Sequence, residues 1–253
     1  GLAYDKSKRE LDADYDLANS IVNQSMTWSR EYFVEVDEAP AANYVFIAIA
    51  DSVKSSLQID GVSIDEKAFG GVLSFGFPAN AGKPNEPYVS VQIALEPGQH
   101  NITASEPFGV YKNTHGIDTF SDPAMAVVQP ENSYLTAYAF YTPNSGSFSR
   151  NFINITVPLD EIANVMLDGQ LIDQKHFTSI ANTGFSYARL GVNIGAHYIY
   201  ADKAFGLNVY GFDDFDAYMF PGGWGVNPMV PGASISVSAD SVTPIVSDEV
   251  CIT

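Results

Sequence analysis

His100 and His197 each stand two residues after a glycine, Gly98 and Gly195, and this shared setting makes them the first candidates for proton transfer or metal ligation. Each also opens a strand-like run behind a glycine turn, where an imidazole can hold backbone groups, so a structural role is expected of both. No nucleophile accompanies them: the chain has neither a Gly-x-Ser-x-Gly elbow nor a reactive cysteine motif. Carboxylates are the other capable groups. Asp213, Asp214 and Asp216 follow Gly211 closely, Asp118 and Asp122 flank Phe120, and Asp12, Asp14 and Asp16 alternate near the start. Calcium takes several oxygen ligands from irregular loops, so Asp213, Asp214 and Asp216 are the candidate metal ligands, with calcium the one cofactor the sequence could serve. The Asp12 run lacks the glycine and closing glutamate of a helix–loop–helix calcium site. Two facing acids could also cleave a glycoside, but their separation in space is not legible, and solvated acid loops are the simpler reading.

A third group is aromatic. Tyr210, Phe212, Phe215, Tyr218, Phe220 and Trp224 crowd one Gly/Pro-rich segment. Loop aromatics make platforms for sugar rings or protein hot spots, which makes Tyr210, Phe212, Phe215, Tyr218 and Trp224 the candidate ligand contacts. The competing reading is that they plug the open end of a sandwich.

The elements that must hold these residues are repeated. The run from Asn43 through Phe69 matches Asn151 through Phe177 at a constant offset of 108, with Asp60/Asp168, Gly61/Gly169, Ile64/Ile172, Asp65/Asp173, Lys67/Lys175 and Phe69/Phe177 identical. The match resumes at an offset of 97, with Gly98/Gly195, His100/His197, Phe108/Phe205 and Gly109/Gly206. A further shift of two sets Gly116 and Phe120 against Gly211 and Phe215. The change of offset puts extra residues in copy one, within the Gly/Pro-rich stretch 70–87. This order of matches implies a duplication: a lead-in over 1–29, copy one over 30–132 and copy two over 133–253.

Within a copy, aromatic and β-branched runs such as 44–49 read as buried strands, and 89–95 alternates as a half-exposed one. Asp60-Gly61 and Asp168-Gly169 are tight-turn pairs, and Gly98 and Gly195 turn residues before the next strand. Asp65 with Lys67, and Asp173 with Lys175, alternate along the return strand of each copy as a same-face charge pair. Short strands without a convincing amphipathic helix between them predict an all-β protein of two tandem β-sandwich or jelly-roll-like domains.

Bulk composition agrees. Of 253 residues, 46% are hydrophobic and 13% aromatic, enough to fill real cores. A formal charge of −18 excludes nucleic acid and anionic membrane as partners, because phosphate binding needs basic residues. No apolar run is long enough for a membrane helix, so no membrane insertion is expected. The single cysteine, Cys251, gives no redox signal, and the start at Gly1 suggests a mature or excised fragment. Sequons at Asn23, Asn101 and Asn154 are close to chance expectation.

Leu167-Asp-Gly, Phe177, Gly195-x-His197, Phe205-Gly, Val209-Tyr-Gly211-Phe and Tyr218-x-x-Pro-Gly-Gly223 together resemble a known domain type. It is the β-rich domain at the start of IgGFc-binding-protein-like chains, also seen in bacterial surface proteins. The resemblance covers copy two; copy one has residues 112–116 and 123–127 where the last two motifs would stand. It implies a secreted or cell-surface, modular protein linked to adhesion and mucus-type matrices, without catalytic residues. The expectation is a non-catalytic adhesion, recognition or surface-assembly module binding protein or glycan at a cell surface or matrix. A carbohydrate-binding module is the first rival. A self-assembling filament or virion subunit is the second.

Overall fold

The structure, a computed structural model, describes residues 28–36, 44–64, 88–114, 124–143, 148, 150–213 and 216–225. Residues 1–27 of the lead-in over 1–29, the stretch 70–87, the acids near Phe120, Asp65, Lys67, Asp214, Phe215 and everything after Gly225 lie outside these residues. Among the described residues the only helices are short 3-10 turns, and the rest of the regular structure is antiparallel sheet, which agrees with the all-β expectation.

The first half contains β1 (Ser29–Val36), β2 (Tyr44–Ala50), β3 (Gln58–Ile59), β4 (Val62–Ser63), β5 (Tyr88–Ala94), β6 (Gly98–Thr114) and β7 (Ala124–Val127). The second contains β8 (Leu135–Thr142), β9 (Arg150–Pro158), β10 (Met166–Leu167), β11 (Gln170–Leu171), β12 (Thr178–Ser179), β13 (Phe185–Val192), β14 (Gly195–Asp213) and β15 (Asp216–Pro221). The strand order β4-β3-β6-β2-β5, with β1 and β7 also on β6, recurs as β11-β10-β14-β9-β13-β12, with β8 and β15 on β14.

Pairing registers match as closely as the order. Val34 faces His100 and Phe140 faces His197; Ala48 faces Gly109 and Thr156 faces Gly206. Residues at offsets of 108 and 97 therefore stand at matching places in these registers.

Each half curls around its longest strand. The first part of β14 pairs with β8 and β10, and after a register shift between Tyr200 and Phe205 the second part pairs with β9 and β15. A strand that switches layers at a bulge folds one sheet into two facing layers. Ile153, Ile155, Val157, Leu207 and Val209 of one layer then meet Tyr138, Phe140 and Ile199 of the other. In the first half Val45, Ile47, Val91 and Val110 meet Tyr32, Val34 and Ile102.

Three expectations need correction. The strands that contain His100 and His197 are not short: they run on to Thr114 and Asp213, through Gly109 and Gly206, where a ring lies close to the backbone. The aromatic segment read as a loop, from Tyr210 to Trp224, is for most of its length the β14–β15 hairpin. The return strand after each Asp-Gly turn is two residues long, and Asp173 caps a 3-10 turn instead of lying on it, with Lys175 Nζ at 2.8 Å.

Candidate functional site

The two Asp-Gly turns put φ at 53° and 51° on Asp60 and Asp168, and at 77° and 78° on Gly61 and Gly169. Positive φ at both central residues is the type I′ pattern that matches strand twist, and Asp-Gly tolerates it. Each turn hooks onto the long strand. The Asp60 N–H donates to the Asn101 carbonyl and Asp168 N–H to the Tyr198 carbonyl, both at 2.8 Å. In return Oδ1 of each aspartate accepts the backbone N–H of Asn101 or Tyr198 at 2.9 Å.

The histidines complete the hook. His100 Nδ1 lies 2.8 Å from Asp60 Oδ2 and its Nε2 2.8 Å from the Glu96 carbonyl; His197 repeats this at 2.7 Å to Asp168 Oδ2 and 2.8 Å to the Asn193 carbonyl. Both nitrogens of each ring lie within hydrogen-bond distance of an acceptor oxygen. Burial works against ionisation of Asp168, but hydrogen bonds from His197 and the Tyr198 N–H outweigh it and hold the carboxyl below its usual range. Two residues expected separately, as turn former and backbone cap, are one latch. Gly98 and Gly195, at φ 136° and 128°, turn the chain into it.

A second device, present in each half, joins the layers. The Tyr32 hydroxyl donates to the Phe108 carbonyl at 2.6 Å and accepts the Ser29 N–H, while Tyr138 donates to the Phe205 carbonyl and accepts the Leu135 N–H at 2.9 Å. Burial pushes both phenols up. Beside these carbonyls, Gly109 and Gly206 have no side chain because a ring lies on the backbone: a Cβ would meet Trp28 at 2.8 Å or Tyr134 at 2.6 Å.

The aromatic group divides. Tyr210 and Phe212 are fully buried, which takes them out of any exposed platform. They point away from Leu207 and Val209, to the outer side of the β9–β14 layer, and there the first half covers Tyr210: Lys112 Nζ sits 5.6 Å from its ring centre. Arg189 lies 4.4 Å over Phe152, which stacks on Tyr210, and the Tyr210 hydroxyl donates to Asn154 at 3.0 Å. Tyr218 and Trp224 remain half-exposed. The Tyr218 ring lies across Gly211, stacks on Phe220 and meets Phe148 edge-on; its hydroxyl donates to Asn151 at 2.6 Å, and burial pushes it up to about 12. Asp213 and Asp216 pair at the hairpin end, where Asp216 Oδ1 accepts the Ala217 N–H. Among the described residues no three acidic, histidine or cysteine side chains converge as a metal site.

The halves also grip each other directly. Phe33, on the outer face of β1 and buried, packs 4.7 Å from Phe185 on β13. Gln129 is buried between the halves, with its amide nitrogen on the Ser133 carbonyl and the Tyr138 hydroxyl, and its oxygen accepting the Leu207 N–H. A cavity lined by Glu35, Lys112, Asn154, Asn208, Tyr210 and Met219 has room for about one water molecule. Lys112 and Gln129 carried no motif, and only their burial identifies them.

Against this geometry stand the comparisons with known proteins. Residues 112–211 match the family model described as IgGFc binding protein, so that stretch is similar to an IgGFc-binding-protein domain. It begins near the end of β6 and ends within β14, so it contains Tyr138, Asp168, His197 and Gly206. No curated protein and no solved structure matches the chain.

Proposed function

We propose that the chain is a non-catalytic recognition module of a secreted or cell-surface protein, with another protein as its partner. The observation that carries this reading is the match of residues 112–211 to IgGFc binding protein. The use of both Asp–His pairs as scaffold latches supports it, because the groups best equipped for proton transfer already hold the hairpins in place. The same reading takes 30–132 and 133–253 as duplicated units, in keeping with their shared order and register. No helix among the described residues is long and apolar enough to cross a membrane.

The family description makes the Fc part of IgG the first ligand to try. Purified chain is passed over immobilised Fc and over a glycan array, in calcium and again in EDTA. Saturable Fc binding that weakens when Tyr218 or Trp224 becomes Ala places the contact at the β14–β15 hairpin. Loss in EDTA would bring Asp213 and Asp216, with Asp214, into the site as calcium ligands. Binding to glycans but not to Fc would put the carbohydrate-binding reading ahead, which the half-exposed rings of Tyr218 and Trp224 favour as a second choice. A blank on both surfaces overturns the recognition reading for these ligand classes.

A further inference from the structure

The outer face of β8 and the first part of β14 is apolar and open. Tyr141 and Tyr198 are 49% and 50% exposed there, Leu171 extends the face on β11, and Ala139 lies directly across from Tyr198. Isolated exposed apolar residues mean little, but a contiguous sheet face of them marks a contact surface. Tyr200 continues the face, 5.6 Å from Tyr198 ring to ring.

The first half shows what this face does. There the same rung is Phe33 facing Asn101, and Phe33 is the ring that packs on Phe185 of the second half. Ala139 and Tyr198 are its equivalents, so the second half keeps one ring on that rung but carries it on the opposite strand. Glu35 occupies the place of Tyr141. The face that is more polar is the one already docked inside the chain, and the more apolar one is exposed.

The layer that receives this contact has a counterpart in the strand order of the first half. Phe33 and Lys112 sit against the outer side of the layer formed by β9, β13, β14 and β15. The corresponding layer of the first half presents Phe46, Gln92, Tyr111 and Met125, all partly exposed. We propose that the outer β8–β14 face of one chain seats on the outer β2–β6–β7 face of a second copy. This repeats between molecules the packing that joins the two halves within one. The contact uses two different surfaces, so it is heterologous and does not close at a dimer unless the geometry forms a ring.

Sedimentation velocity of the full chain over a wide concentration series tests this. The expected result is a weight-average mass that climbs past the dimer as concentration rises. Tyr141→Glu with Tyr198→Glu removes the donor face, and Phe46→Glu removes the receiving face. Each variant should stay monomeric, and an equimolar mixture should stop at a dimer, since one intact face of each kind remains. Melting curves check that both variants fold, and Met125→Lys replaces Phe46→Glu if that one does not. A wild type that stays monomeric throughout overturns the proposal, as does a dimer that only the donor-face change abolishes, which would mean like faces meeting. A monomer that binds insoluble polysaccharide through Tyr198 also overturns it, by giving the face to a glycan. Failure here leaves Fc binding untouched, because the two assays read different surfaces.

Discussion

The long strand of each half bulges where it changes layers, and the halves close that bulge with different chemistry. In the first, the Ser56 hydroxyl accepts the Ser105 N–H at 3.0 Å. In the second, the buried Glu161 carboxylate accepts the N–H groups of Asp202 at 2.6 Å and Lys203 at 3.1 Å, and the Asn164 amide at 3.3 Å. Ser105 and Asp202 are equivalent positions, so one backbone donor is met by a neutral hydroxyl in one half and by a charge in the other. A fold of this kind fixes which backbone groups need partners, and side chains are exchangeable as long as the need is met.

The difference can be broken by mutation. Glu161→Ala strands three donors of a buried charged acceptor and should cost about 3 kcal/mol, whereas Ser56→Ala should cost about 1 kcal/mol. Equal losses in denaturant titrations would mean that water replaces the carboxylate and that the contrast is superficial. Next in size come the glycines under the rings. Gly206→Ala drives a Cβ into the buried Tyr134 ring and should cost about 2 kcal/mol; Gly109→Ala should cost less, because Trp28 is partly exposed and can yield. A larger loss at Gly109 would show that Trp28 is the more tightly held of the two.

The latches should differ least. His197→Ala loses two hydrogen bonds and a stack on Phe140, so it should cost about 1–2 kcal/mol. His100→Ala should cost somewhat less, since Val34 stands in the place of Phe140. The second latch also predicts an acid response. Asp168 ionises more readily in the folded chain than in the unfolded one, so its contribution is fully present above the ordinary carboxylate range and is lost as pH falls through its lower folded value. His197→Ala should flatten that part of the melting-temperature profile below about pH 4, and an unchanged profile would assign the acid sensitivity elsewhere.

How much of this was legible in the sequence depended on distance along the chain. Asp60-Gly61 and Asp168-Gly169 announce their turns locally, and the offsets of 108 and 97 carry straight into strand equivalence. The Asp–His partnership did not show, because a contact across 40 or 29 residues leaves no periodic trace. Tyr210 and Phe212 read as loop residues because β14 is covered on both sides there. Its run lacks polar–apolar alternation, and nothing local marks Gly211 as the bed for Tyr218. The exposed face of β8 had no signature either: alanine and tyrosine alternating with buried residues look the same whether solvent or another chain lies beyond.

One consequence of the layer-switching strands concerns motion. β14 hydrogen-bonds to β8 and β10 over one stretch and to β9 and β15 over the next, so neither layer can open without disturbing the strand that anchors the other. Local opening of this half should therefore be rare between the fraying of its edge strands and complete unfolding. In deuterated water the amides of Ile199 and Val209, on opposite sides of the bulge, should exchange last and at a common rate. That rate would be a direct reading of the free energy of the whole half, and β11 and β12 would have exchanged long before.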